Sequence, residues 1–479
     1  MTSASIEHPV VETAYGPVRG RFTPASNGST VAAFLGIPYA AAPIGGLAVA
    51  APQPPTAWTE PRDARDHGPA APQVAYPEPI GSILENVSAP GAEYLNADVW
   101  TPDVDASGLP VVVWIHGGAF TRGANRISIY RGDSFARDGV VFVGVNYRLG
   151  ASGFASVDGA PENRGLLDQI AALEWVADNI AAFGGDPSQV TIMGESAGAM
   201  SVASLLASPR ADGLFHRAIM ESGNGVAACT VDDARRVSAR ISEILGVDAT
   251  ADAWSQVSAD GLLAAQTQTA LELSMNPDSA IWGESVVRAG LGVMSVFPVI
   301  DDDVLPGLPV DSIASGAGAG VPLLAGWNAD EFHFFLAPTG LVAAVDAPTA
   351  AGVLARAGID TSHFDDLIAQ GVVPGDALCA ELTRYGFSDP TTAIADARPG
   401  TATFLYEFGR HSPVAGIRAG HAVEIAYVFD HLDDAHSIVG DSPDQSLATR
   451  MHAAWTSFIM TGDPGWEAHT PGAQPHLFS

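Results

Sequence analysis

The pentapeptide Gly194-Glu195-Ser196-Ala197-Gly198 constrains this chain more than any other stretch. Before this G-x-S-x-G pattern, Val190-Thr191-Ile192-Met193 reads as a short buried strand; after it, Ala199 to Leu206 reads as a helix. A serine on so sharp a strand-to-helix turn takes a strained backbone conformation and projects its hydroxyl off the sheet edge. Gly194 and Gly198 suit such a turn, because a Cβ at either position would clash where strand and helix crowd together. The helix that follows aims its N-terminal N–H groups at the place where negative charge would develop. With 51 glycines among 479 residues, the pattern alone is weak. It gains meaning only with a donor loop upstream, and an acid and then a histidine downstream.

The donor loop is present. Leu109-Pro110-Val111-Val112-Val113-Trp114-Ile115 is an apolar, β-branched run that reads as a fully buried strand. It leads into His116-Gly117-Gly118-Ala119-Phe120, and a Gly-rich loop at the C-terminal end of a parallel strand can turn backbone N–H groups toward a ligand. Gly118, Ala119 and Ala197 are the expected oxyanion donors. His116 precedes the serine, the wrong side for a base, and is expected to hold the loop by side-chain hydrogen bonds.

These blocks resemble the type-B carboxylesterase family, the α/β-hydrolase group that includes para-nitrobenzyl esterases and cholinesterases. The resemblance extends over nearly the whole chain. It includes Phe34 to Ala40, Leu109 to Phe120, Asn146 to Gly150, Gly153-Phe154, Gly165 through Asp168, Gln169, Trp175, Asn179 and Phe183 to Pro187, Phe297 to Asp301, and Thr461 to Pro464. It implies an α/β-hydrolase fold: a central, mostly parallel sheet flanked by helices. It also implies a catalytic set of Ser196 as nucleophile, Glu331 as orienting acid and His421 as base. Glu331 follows the strand-like run Val321 to Gly326, where Phe332 stands in place of the family's usual glycine and Asp330 is a rival acid. His421 precedes the apolar block Glu424 to Phe429, with His411 and His431 as rival bases. Glu195, Ser222 and Gly117 are expected immediately behind these groups. Phe120, Trp282, Phe332 and Phe335 are candidate pocket aromatics, or equally plain core residues.

The chemistry needs these residue types. A serine hydroxyl requires a base to take its proton, imidazole can act as base and then acid, and a carboxylate orients the imidazole. The expected activity is hydrolysis of small to medium neutral carboxylic esters through an acyl-enzyme. The same set could act on carbamates or aryl amides, and a non-catalytic binding protein is a remote alternative.

Composition narrows the rest. The formal net charge is −32 and none of the 22 basic residues is lysine. Nucleic acid and anionic membranes are therefore disfavoured partners, and a P-loop or a covalent lysine is excluded. No cofactor is expected. The spacing of Asp430, His431, Asp433, Asp434 and His436 matches no common zinc motif, and no metal site is expected there. Two cysteines, an N-terminus without an apolar leader core and no run of membrane-spanning length point to a cytoplasmic protein, a monomer or dimer. The family blocks thread residues 1–479 as one catalytic domain, with helical pocket-wall excursions at 224–320 and 340–400. Within these, Thr230 to Leu245, Ser258 to Met275 and Ala347 to Leu382 read as helical, the first two with N-caps. The helix before the elbow places Leu166, Ile170, Leu173, Ala177 and Ile180 on one face and stops at Gly184-Gly185.

Overall fold

Runs of Val, Ile and Leu that are apolar at every position need burial on both faces, and the protein satisfies them with one large sheet covered on each side. The structure is a computed structural model that describes residues 8–479. The sheet has ten strands: β1 (Arg21–Pro24), β2 (Thr30–Pro38), β3 (Asn96–Thr101), β4 (Leu109–Ile115), β5 (Val141–Val145), β6 (Gly185–Glu195), β7 (Arg217–Glu221), β8 (Leu323–Asn328), β9 (Thr403–Phe408) and β10 (His476–Phe478). Their spatial order is β10-β9-β8-β7-β6-β4-β5-β3-β2-β1. The pairings from β10 through β5 are all parallel, whereas β5–β3, β3–β2 and β2–β1 are antiparallel. The sheet is thus mixed, with the parallel majority in the half that carries the elbow.

The pleat divides the core in two. Val111, Val113 and Ile115 of β4 point into one cluster, with Val143 of β5 and Ile192 of β6; Val112 and Trp114 point into the other, with Phe142 and Met193. Strand β6 starts earlier than its apolar run suggests, because Gly185 already pairs with Leu109.

Helix α1 (Arg164–Asn179) precedes β6 and α2 (Ala197–Ala207) follows it. Most of the circumference of α1 is buried, and Val176, not Ala177, continues the inner face; Glu174, Ala177 and Asp178 form the exposed arc. A short 3-10 turn then ends at Gly184, whose φ of 88° only glycine adopts readily. Between 224 and 320 lie α3 (Val231–Leu245) and α4 (Ala259–Met275). Their N-caps, Thr230 and Ser258, accept hydrogen bonds from the N–H groups of Asp233 and Gly261. The 340–400 stretch contributes Ala347–Arg356, Ser362–Ala369, Pro374–Thr383 and Asp389–Asp396. Among the described residues, no helix is long and apolar enough to cross a membrane.

Candidate active site

Ser196 sits between β6 and α2 with φ 54° and ψ −121°, a strained conformation for a residue with a Cβ. Its N–H is bonded to the carbonyl of Glu221 at 2.9 Å. The flanking glycines allow the turn. A Cβ on Gly198 would lie 1.9 Å from the Ile115 carbonyl oxygen, and one on Gly194 would lie 2.5 Å from the carbonyl carbon of Gly198.

The loop after β4 approaches the same point. Gly118, Ala119 and Phe120 have φ of 112°, 54° and 58°. A Cβ on Gly117 would meet the Glu195 carboxylate at 2.6 Å and Ser196 Cβ at 3.1 Å. The N–H groups of Gly118, Ala119 and Ala197 donate to no other group among the described residues. His116 is buried; its Nδ1 donates to the Gly117 carbonyl at 2.8 Å and its ring stacks on Tyr147. Burial pulls its pKa down to about 4, which keeps the imidazole neutral.

Two further segments complete the constellation. Strand β8 leads to Glu331, the first residue of α5 (Glu331–Leu336). Its Oε1 accepts from the Asn328 N–H at 2.8 Å, and its Oε2 lies 2.5 Å from His421 Nδ1. His421 Nε2 lies 2.8 Å from Ser196 Oγ. The order Oγ–Nε2…Nδ1–carboxylate is the geometry for moving a proton off the hydroxyl. Asp330 points elsewhere, toward His411 Nε2 at 3.2 Å and the Ala419 N–H at 3.3 Å. His431 pairs with Asp133. Of the carboxylates near it, Asp430 is held by Arg137 and Asp434 by Arg131. Phe332 lies in the first turn of α5; its N–H donates to Thr383 Oγ1 and its ring packs on Phe335 and Phe387.

Carboxyl groups crowd this centre. Glu195 Oε1 is 3.2 Å from His421 Nε2. Ser222, at φ 50°, donates through Oγ to Glu424 Oε1 at 3.1 Å, and Glu424 Oε2 accepts from Asn328 Nδ2. Glu221 accepts from Trp455 Nε1 at 2.7 Å. Burial raises Glu195 to about 8 and Glu424 to about 7, and pushes Glu221 well above the carboxylate range. For His421, burial acts downward, but the negative charges of Glu195 and Glu331 outweigh it and raise the pKa to about 9. Reading the sequence missed Glu221, Asn328 and Glu424. Glu424 stands three residues after His421, where only its place at the head of an apolar block could have drawn notice.

A cavity of about 210 Å³ opens on Ser196, His421, Gly118 and Ala119. Among the four candidate aromatics only Phe335 lines it, together with Phe334. Phe120, Trp282 and Phe332 are not on its wall. Phe120 is turned into the core by its positive φ and packs edge-on against Phe154; Trp282 is buried with its indole N–H bonded to the Asn276 carbonyl.

A parallel β-strand run in which an inner strand ends in a serine elbow, between a donor loop and an imidazole, defines an α/β-hydrolase. Residues 7–347 match the carboxylesterase family. The chain is 36% identical over 475 residues to the para-nitrobenzyl esterase of Bacillus subtilis (strain 168), covering 96% of this chain and 91% of that protein. It is 33% identical over 446 residues to the phenmedipham hydrolase of Pseudarthrobacter oxydans, covering 90% and 86%. Among solved structures, a Geobacillus stearothermophilus carboxylesterase superposes with a TM-score of 0.80 at 33% identity, covering 98% of this chain and 96% of that one. The chain belongs to the carboxylesterase family and is a carboxylic-ester hydrolase.

Proposed function

We propose that the protein hydrolyses small to medium carboxylic esters, with neutral esters as the reference class, through an acyl-enzyme formed on Ser196. Oγ attacks the ester carbonyl carbon as His421 Nε2 takes its proton. The N–H groups of Gly118, Ala119 and Ala197 hold the oxyanion, and Glu331 stabilises the imidazolium through Nδ1. Collapse of the intermediate breaks the C–O bond to the alcohol, which leaves with the proton from Nε2. Water then repeats the sequence on the acyl-enzyme, releasing the acid and restoring Ser196.

The observation that carries this reading is the unbroken relay from Ser196 Oγ to Nε2 at 2.8 Å and from Nδ1 to Glu331 at 2.5 Å, beside three unclaimed N–H donors. The modest cavity supports the substrate size. A contact between the two helical excursions, Asn224 Nδ2 to the Gly386 carbonyl, and one from the second excursion to the turn before the first, Thr391 Oγ1 to the Gly223 carbonyl, support one catalytic domain. The test is labelling with a fluorophosphonate probe and peptide mapping. Label on the Ser196 peptide, lost in Ser196→Ala, is the expected result; label on another serine, or none on folded protein, would overturn it.

A further inference from the structure

One arginine, Arg122, is among the residues that line the otherwise mostly apolar active-site cavity. Two of the three acids on the same wall are engaged by other groups, and the Oε1 of the third, Glu195, is buried without a hydrogen-bond partner 3.2 Å from His421 Nε2. Glu85 accepts from the N–H and Oγ of Ser128, and Asp434 pairs with Arg131 at 2.9 Å. No carboxylate among the described residues lies within 4.0 Å of the Arg122 guanidinium. The group is nevertheless held in place. Nε donates to the Val74 carbonyl at 3.1 Å and Nη1 to Thr121 Oγ1 at 3.2 Å, and Cζ lies 5.2 Å from the centroid of the Tyr76 ring. Its backbone N–H is bonded to the Gly118 carbonyl at 3.0 Å, which ties it to the loop carrying the oxyanion donors.

A guanidinium offers five N–H donors in a rigid fork, and the two bonds above leave about three unclaimed. Burial lowers the pKa of Arg122, yet an arginine stays a cation at neutral pH. Two tyrosines, Tyr76 and Tyr130, line the same cavity. Tyr130 is only 8% exposed, and neither its hydroxyl nor that of Tyr76 has a hydrogen-bond partner among the described residues. A partly desolvated cation without a counter-ion, beside two unpartnered hydroxyls in a cavity that opens on the nucleophile, is a donor set that lacks its acceptor.

We propose that this wall is a subsite for a carboxylate carried by the substrate, so that the protein accepts esters bearing one free carboxylate, gripped by Arg122 with the hydroxyls of Tyr76 and Tyr130 beside it. This inference rests on the ester-hydrolase reading and extends its substrate range beyond neutral esters. The formal charge of −32 slows encounter with anions, but that field decays within about 8 Å at physiological salt, whereas the contact pair acts in the bound complex.

The test compares two matched pairs: monoethyl adipate against ethyl hexanoate, with the carboxylate on the acyl side, and acetoxybutanoate against butyl acetate, with it on the alcohol side. In the wild type, kcat/KM for the charged ester should equal or exceed that of its neutral match in at least one pair, and that pair locates the subsite. Arg122→Met should lower the charged-to-neutral ratio of that pair about ten- to hundredfold, mainly through KM. Arg122→Lys, which keeps the charge and loses the fork, should fall between. Because the neutral ester is the internal reference, general damage to the site cancels. Ratios unchanged within twofold in Arg122→Met would overturn the inference. So would a wild type that discriminates tenfold or more against the carboxylate in both pairs, a result that needs no variant. Turnover of the neutral esters alongside either result removes only this subsite; no turnover of any ester, with no fluorophosphonate label, removes the ester-hydrolase reading itself.

Discussion

Replacing Glu195 by Gln should move the acid limb of the pH–rate profile downward. Catalysis through a base requires neutral His421, so kcat/KM rises with pH as the imidazolium loses its proton. The neighbouring carboxylates hold that proton on, raising the His421 pKa to about 9. Glu195 Oε1 lies 3.2 Å from Nε2. At an effective dielectric of about 20, a fully charged pair at that distance is worth about 5 kcal/mol, close to four pK units. Glu195 is itself raised to about 8 by burial, so it ionises along the same limb and part of the pair energy goes into ionising it. The expected shift is therefore about one to two units downward, within the usual range for one nearby opposite charge. Gln preserves the size of the side chain, and the plateau rate above the limb should change much less than the position of the limb. The assay is kcat/KM for p-nitrophenyl butyrate from pH 5 to 10 at constant ionic strength. A limb in Glu195→Gln that coincides with the wild type, or that moves upward, would refute the electrostatic argument.

Further consequences concern the acid, the elbow and the core. Glu331→Gln keeps the side chain's shape but removes the charge facing Nδ1, and kcat should fall about 10³- to 10⁴-fold with an unchanged near-ultraviolet dichroism spectrum; an activity within tenfold of wild type would assign the acid elsewhere. Gly198→Ala forces a Cβ to within 1.9 Å of the Ile115 carbonyl oxygen, and should destabilise the fold by about 3 kcal/mol or more in urea titration. Arg148 and Asp168 form a fully buried bidentate pair, with Nη2–Oδ1 at 2.7 Å and Nε–Oδ2 at 2.8 Å. Arg148→Met leaves that carboxylate uncompensated and should lower stability by about 3–5 kcal/mol; an unchanged urea midpoint would show that Asp168 finds another partner.

Features settled within a few residues were legible in the sequence. The strand, elbow and helix around Ser196 follow from an apolar run, two glycines and an alternation of period, and the structure has β6, the turn and α2 there. Thr230 and Ser258 mark helix starts because an N-cap is an interaction with the chain's own next turn. The family resemblance implied an acid and then a histidine downstream of Ser196, but spacing alone left Asp330 beside Glu331, and His411 and His431 beside His421.

Contacts across the fold decided what remained. His421 lies 225 residues from Ser196 and 90 from Glu331, and only the packing of β6, β8 and the loop after β9 brings the three within hydrogen-bond reach. Adjacent carboxylates diverge because Glu331 is caught by the Asn328 N–H while Asp330 faces the His411 side. The aromatics divide in the same way, since a positive φ turns Phe120 into the core and α5 presents Phe335 to the cavity. Arg122 carries no local pattern and Glu424 only its place at the head of an apolar block; each acquires its environment from segments distant in the chain. Local propensity and patterning are properties of neighbouring residues and can be read along a sequence, whereas burial, charge pairing and the lining of a cavity are set by which distant surfaces the folded sheet brings together.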